Sequence, residues 1–260
     1  MRTDSPNDQR YRLLGSAVSL GVGAGALAWL SPGDPDGTGP ARVADGVSTS
    51  AYRWVNDAVA GAPGWVDWTL EAATQGTLVI LALLLVLVWW TALRRGDTRV
   101  AAGAIVAGAG TAAAYLISEV LKATVDEERP CRVVHLAHAA IADCPAVGDW
   151  SFPSNHTTIA VGLALGLAVL RPRLAALTLT LGVLGGLLRI MVGVHYPHDV
   201  LAGALLGACV VTAAMLALTP QAIRLLSQLL SRLPSGRFPA GPGASGPSSA
   251  TGGRHRSSHL

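Results

Sequence analysis

Residues 72–93 read AATQGTLVILALLLVLVWWTAL, without a single Asp, Glu, Lys or Arg. As a helix this stretch is about 33 Å long, enough to cross a bilayer core of ~30 Å. Comparable blocks free of those four residues run Leu13–Gly33, Val100–Ser118, Ser151–Leu170, Leu174–Leu188 and Val200–Ile223. Each is rich in Leu, Ala, Val and Gly and lacks the alternation and frequent turns of a membrane barrel, so helices are expected. The sequence therefore predicts an all-α polytopic membrane protein, a bundle of six transmembrane helices. Composition agrees: 51% of the 260 residues are hydrophobic and 13% are charged, about half the ~25% charged content of an average soluble protein. The first block follows Arg10 and Arg12, as a signal peptide would, but exceeds an h-region of about 7–15 residues and is expected to remain as the first helix.

Basic residues set the expected orientation. With the N-terminus inside, 13 Lys and Arg fall on inner segments and 6 on outer ones, so both termini are expected in the cytoplasm. The net charge of +3 is then a topology signal and needs no nucleic-acid partner. The expected organisation is a cytoplasmic N-terminus over 1–12, a membrane domain over 13–223 and a cytoplasmic tail over 234–260, whose Gly, Ser and Pro content predicts disorder. After the first block, SPGDPDGTGPARVADG reads as an irregular outer loop. The next segment, with Trp54, Trp65 and Trp68, reads either as a helix lying on the outer surface or as a loop with anchoring tryptophans. Cys131 and Cys144 share one outer segment and pair there if the face is oxidising; spacing alone leaves this open. Cys209 reads as a small apolar residue within a helix.

Ionisable groups at membrane boundaries are costly, so their clustering marks function. Three clusters fall on the expected outer side: Lys122 with Arg129 and Pro130 in KATVDEERP, Pro153-Ser154-Asn155-His156 in SFPSNHTT, and Arg189, His195 and Asp199 in RIMVGVHYPHD. Lys122 and Arg129 are two helical turns apart, on one face if the helix persists. With Arg189 they supply three cations, enough to neutralise a phosphate dianion and its transition state. Ser154 offers a hydroxyl, and the Asn155 and His156 amides sit at a helix N-terminus that favours an anion. Asp199, four residues after His195, can fix its tautomer and leave the other ring nitrogen as a nucleophile. His156 is then the general acid to the leaving alkoxide and the general base to water. The set suits two-step phosphoryl transfer through phosphohistidine, with basic side chains in place of a metal; no metal and no cofactor is expected.

These segments resemble the three signature motifs of the type 2 phosphatidic acid phosphatase superfamily, the lipid phosphate phosphatases: K-x6-RP, PSGH and SR-x5-H-x3-D. The intervals inside the first and third match without a gap, and the matched region runs from about Ile117 to Gly203. The resemblance implies a six-helix bundle with a metal-independent site at the outer membrane surface. It implies His195 as nucleophile supported by Asp199, His156 serving the leaving group, and Lys122, Arg129, Ser154 and Arg189 as phosphate ligands, with the Asn155 amide beside them. Two positions depart from the pattern: Asn155 stands for the Gly of PSGH, and Leu188 for the Ser before Arg189.

The function expected is a membrane phosphatase removing the terminal phosphate of a lipid phosphate or diphosphate at the outer leaflet. Phosphatidic acid, phosphatidylglycerol phosphate and polyprenyl diphosphates are the candidate substrates, and the oligomeric state is left open. The alternatives are a membrane transporter, which calls for ionisable groups midway along the spans, and a non-catalytic lipid-phosphate-binding protein. His198 reads as a loop or rim residue, Asp126, Glu127 and Glu128 either as a solvated acidic face or as an acidic rim that discriminates among anionic substrates, and His135 with His138 as part of a surface helix. Glu119, one turn before Lys122, could orient its ammonium group.

Overall fold

The structure, a computed structural model, describes residues 5–33, 39–136 and 140–232. Helix α1 spans Pro6–Leu30, α2 Val47–Val59, α3 Gly64–Arg94, α4 Thr98–Val125, α5 Pro130–Val133, α6 Asn155–Leu170, α7 Ala175–Met191 and α8 Pro197–Ser231. A 3₁₀ turn, Pro172–Leu174, leads into α7. Among the described residues, five stretches, Pro6–Leu30, Gly64–Arg94, Thr98–Val125, Pro172–Met191 and Pro197–Ser231, are long and apolar enough to cross a membrane. Helix α6 is equally apolar but has 16 residues, a length of about 24 Å. The expected tail over 234–260 and His138 lie outside the described residues.

Except for α6, which stays inside its block, the membrane-length helices run past the charge-free blocks that foretold them. Helix α1 begins at a capping box in which Ser5 and Asp8 exchange hydrogen bonds, and α8 continues through Pro220 to Ser231. The RRGD turn closes where Gly96 adopts φ 69° and Asp97 caps α4 by accepting from the Val100 amide at 3.1 Å.

Apolar side chains line both faces of these helices. On α3, Leu81, Leu85 and Val88 are buried while Val79, Ile80, Leu83, Val86 and Leu87 point outward, the pattern of a helix between protein and lipid. With lipid as apolar as the interior, close packing of small residues holds such helices together. Ala104 and Ala107 of α4 and Ala160 and Ala164 of α6 pack with leucines of α3 and α6. Helix α8 lies along α1, α4 and α6, and its approach to α6 requires glycine. A Cβ at Gly203 would run into the Ser154 carbonyl oxygen, and one at Gly207 into that of Thr158.

The segment bearing Trp54 resolves as a helix. Helix α2 lies across the end of the bundle where α7 stops and α8 starts: Tyr52 Oη donates to the Gly193 carbonyl at 2.9 Å, and Asn56 Nδ2 to that of Ile190 at 3.1 Å. Trp54, Trp65 and Trp68 are exposed. At the same end Cys131 and Cys144 form a disulfide with Cα atoms 5.9 Å apart, closing the segment between α4 and α6.

Gly203→Ala is expected to cost about 1–3 kcal/mol, because the obstructing atom is backbone and the start of α6 must shift. At Gly108 the nearest atom to an added Cβ is Leu85 Cδ2 at 3.6 Å, an ordinary contact. Gly108→Ala is therefore the control, expected to leave the Tm of the detergent-purified protein unchanged while Gly203→Ala lowers it.

Candidate active site

The three polar clusters are joined by backbone before any side chain is considered. The Ser154 amide donates to the Asp199 carbonyl at 3.1 Å, tying the second cluster to the third, and the Ser151 amide to that of Glu127 at 2.8 Å, tying the second to the first. A short bridge pairs Ala41 with Glu127. These ties gather the C-terminal ends of α4 and α7 and the N-terminal ends of α6 and α8.

His195 lies on the short link between α7 and α8 and is 2% exposed. Arg129 Nη1 approaches His195 Nε2 at 3.2 Å. A guanidinium only donates, so Nε2 carries the lone pair and Nδ1 the proton. Nδ1 in turn faces Asp199 Oδ2 at 3.3 Å. That carboxylate oxygen also accepts from the Tyr196 amide at 2.8 Å and from the Ser151 hydroxyl. Burial, first, and the charges of Arg129 and Arg189 bring His195 down to about 3, against the hydrogen bond to Asp199 that raises it. The imidazole is thus neutral at ordinary pH, with its lone pair on Nε2 facing Arg129 and its Nδ1 proton oriented by Asp199.

The cations converge, though not along one helical face. Helix α4 ends at Val125, where Asp126 takes φ 47°, and Arg129 reaches the site from the following link. Lys122 Nζ and Arg129 Nη2 meet at Asp149 Oδ1, at 3.1 and 2.8 Å. Arg129 Nε donates to the Asp149 carbonyl at 2.7 Å and Nη1 to that of Val194 at 3.0 Å. Asp149, 47% exposed at its side chain, bridges the two cations through one carboxylate oxygen. Burial pushes its carboxyl up, but the hydrogen bonds and charges of Arg129 and Lys122 prevail and hold it below the usual carboxylate range.

The remaining expected residues complete the rim. Lys122, Arg129 and Arg189 all lie near enough to His156 for their charges to act on it. His156 Nε2 and Arg189 Nε are buried without a hydrogen-bond partner among the described residues. Ser154 Oγ is buried and accepts from Thr157 Oγ1 at 3.1 Å, leaving its own proton to give. The side chain of Asn155 is taken up by α4: its Oδ1 accepts from Ser118 Oγ at 2.6 Å and its Nδ2 donates to Glu119. Glu119 therefore partners Asn155, where orientation of Lys122 was expected. Leu188 is buried.

Two other expectations are corrected. Glu127 is fully buried and Glu128 nearly so, so the acidic run is no solvated face. His198 is the second residue of α8, its ring stacked against Tyr196 at 5.3 Å and Phe152 at 6.1 Å between centroids. Its Nε2 lies 3.0 Å from Glu127 Oε1 and 3.3 Å from Asp199 Oδ1. Glu127, His198 and Asp199 bring ligand-type atoms within 4.8 Å of one another, a grouping whose donor types suit a metal ion. Asp149 and Ser151 complete the residues that sequence reasoning passed over. Both belong to the segment just upstream of Pro153, where the sequence offers no periodicity to say which polar side chain turns inward.

The profile of the PAP2 superfamily matches residues 101–222, a range holding all three clusters. The chain is 33% identical over 146 residues to the undecaprenyl-diphosphatase of Bacillus subtilis, covering 56% of this chain and 71% of that protein. It is 40% identical over 108 residues to the decaprenylphosphoryl-5-phosphoribose phosphatase of Mycobacterium tuberculosis, covering 41% of this chain and 56% of that one. The fold matches the crystal structure of a transmembrane PAP2 type phosphatidylglycerolphosphate phosphatase from Bacillus subtilis, with a TM-score of 0.51 at 18% identity, covering 85% of this chain and 98% of that chain. The chain belongs to the PAP2 superfamily. It is a membrane lipid phosphatase.

Because Asp149 occupies the cations, Asp149→Asn is expected to lower the Ki of orthophosphate by about ten-fold, worth ~1.4 kcal/mol. The sign of the pH dependence follows from a carboxyl held below its usual range: Asp149 stays ionised as pH falls from 8 to about 5, so the ratio of the two Ki values should stay flat over that interval. Inhibition measurements on both proteins across that range check it.

Proposed function

We propose that the protein hydrolyses the terminal phosphate of a lipid phosphate or diphosphate through a phosphohistidine on His195, without a metal ion. The observation that carries this reading is the tautomer of His195, fixed by Asp199 on one nitrogen and by a donating Arg129 on the other. In the first step the phosphoryl group displaces the Arg129 donor from Nε2 and its oxygens replace the Asp149 carboxylate between Lys122 and Arg129, with Arg189 and the Ser154 hydroxyl as further ligands. His195 Nε2 forms the P–N bond while the P–O bond to the lipid breaks, and His156, entering the step as an imidazolium once the bound phosphate dianion offsets the surrounding cations, gives its Nε2 proton to the leaving oxygen and ends neutral. Asp199 balances the charge that appears on the imidazole. In the second step His156 takes a proton from water, the water oxygen forms a P–O bond, the P–N bond breaks, and inorganic phosphate leaves with His195 neutral again.

The same reading extends to topology. Helix α6 serves as a sixth crossing despite its length, within a membrane domain over 13–223, with both termini cytoplasmic and the site on the outer face. The excess of basic residues on the opposite side and the disulfide at the site's end of the bundle support this orientation. The two sequence relatives are named for polyprenyl-linked phosphates, which supports a polyprenyl phosphate or diphosphate as substrate ahead of phosphatidic acid and phosphatidylglycerol phosphate. Among the described residues, the stretches 13–30, 72–93, 100–118, 175–188 and 200–223 contain no Asp, Glu, Lys or Arg, which favours an enzyme over a conducting protein.

Detergent-purified protein assayed in chelator should release phosphate from this lipid panel. His195→Ala is expected to lower the rate by more than about 10³-fold, and His156→Ala by about 10²–10⁴-fold. In His156→Ala, quenching at alkaline pH should reveal an acid-labile phosphoenzyme. Full activity in His195→Ala would refute the nucleophile, and loss of all activity in chelator would refute the metal-free route.

A further inference from the structure

Buried charge is concentrated beside the nucleophile in a way the reaction above leaves unused. Glu127 is fully buried, and so is Asp199; their carboxylate oxygens and His198 Nε2 lie within 4.8 Å of one another. Asp199 Oδ2 is well supplied with donors, but Oδ1 is buried and accepts no hydrogen bond among the described residues: His198 Nε2, 3.3 Å away, makes its hydrogen bonds to Glu127. Two ionised carboxylates packed this closely, one of them with an oxygen lacking a donor, would be costly to bury.

We propose that Glu127 is a positioning residue, a neutral carboxylic acid that donates its proton to Asp199 Oδ1 and, with His198 and Ser48, forms a hydrogen-bonded chain holding Asp199 against the nucleophile. The directions along the chain follow from the partners. The Ser48 hydroxyl oxygen accepts from the His198 backbone amide at 3.3 Å, which leaves the hydroxyl proton for His198 Nδ1 at 2.7 Å. His198 then carries its ring proton on Nε2 and donates to Glu127, 3.0 Å from Oε1 and 3.2 Å from Oε2. A protonated Glu127 accepts that bond on one oxygen and donates from the other, which gives Asp199 Oδ1 its missing donor. Asp199 stays ionised with its Oδ2 on the His195 Nδ1 proton. Every member of the chain is satisfied, and the cluster carries one negative charge where two would stand if Glu127 were ionised.

The surroundings agree. Burial, first, and then the charge and hydrogen bonding of Asp199 push the Glu127 carboxyl up to about 11. The facing groups are His198, Asp199 and the Tyr196 phenol; Lys122 and Arg129 are instead engaged with Asp149. Glu127 is fixed at both backbone ends of its peptide group's neighbourhood, by the bridge to Ala41 and by its carbonyl accepting from Ser151. His198 is held by its two aromatic neighbours. Ser48 belongs to α2, so the surface helix ends in a chain that reaches the nucleophile.

The inference rests on His195 as nucleophile, so the test runs His195→Ala alongside. Glutamine copies a neutral acid, with an N–H for Asp199 and a carbonyl for His198, whereas leucine fills the volume and supplies neither. Glu127→Gln is expected to keep about a third or more of kcat, and Glu127→Leu to lose about fifty-fold in kcat with the orthophosphate Ki within about two-fold of wild type. The split between kcat and Ki separates loss of nucleophile positioning from general loosening of the site, which would weaken phosphate binding as well. Wild-type kcat in Glu127→Leu, or equal losses in the Gln and Leu variants, would overturn the neutral-acid assignment. If Glu127→Leu does not fold, Ser48→Ala at its half-buried position decides the matter: kcat should fall about five-fold with Ki unchanged, and wild-type kcat would overturn the chain. Activity abolished by chelator and restored by zinc would assign the cluster to an ion and overturn the proton assignment. An active His195→Ala would instead defeat the underlying reading of the nucleophile, whatever the Glu127 variants do.

Discussion

Everything at the site end of this protein is built around the buried carboxylate of Asp199. Its side chain receives the Tyr196 amide, the Ser151 hydroxyl and the His195 ring, while its backbone carbonyl receives the Ser154 amide. One residue therefore fixes the first turn of α8, the approach to α6 and the tautomer of His195. An ionised group removed from water must be matched by donors, and the number of donors here gives the site its rigidity. The glycines of α8 extend the same constraint into the membrane domain: α8 lies close enough to α6 for Ser154 to reach Asp199 because Gly203 and Gly207 present no side chain to the α6 carbonyls.

The placement of the site follows from the lipid environment. Helix interiors here are apolar or small, and ionisable side chains gather where helices end and loops begin. There the backbone is free to supply carbonyls and amides that no continuous helix offers. Arg129 shows the gain. Had α4 continued past Val125, the side chain would have faced along the helix; the left-handed turn at Asp126 lets its guanidinium reach Asp149, Val194 and His195 together.

The membrane class and the gathering of the three polar clusters at one end of the bundle were legible because both rest on one-dimensional signals. A run such as residues 72–93 needs no partner to be read, and His195 and Asp199 sit at a spacing that one helical turn brings together. What escaped is what depends on irregular backbone. Glu127 and Glu128 look like a charged surface in sequence and are buried because the link after α4 pairs with Ala41 and is crossed by Ser151. His198 reads as a rim residue until Phe152 and Tyr196 are seen to enclose it. The disulfide was open in sequence for the same reason, since separation along the chain does not give the distance between two Cα atoms.

Asp149 bears on how such a site stands without substrate. Lys122, Arg129 and Arg189 place three like charges around one partly buried spot, and their mutual repulsion is strong in a medium of low effective dielectric. An intramolecular carboxylate relieves it, and the side chain that does so is the half-exposed member of the cluster, attached to a segment tied back by the disulfide. A ligand entering the clamp must outbid that carboxylate. A phosphate dianion brings more charge and more acceptor oxygens than a carboxylate does, and a phosphodiester, with one negative charge, brings no more charge than Asp149. On the proposed function, in which these cations take the substrate phosphate, the carboxylate that keeps them in place would also favour a terminal phosphate over the singly charged diester groups that fill a membrane surface.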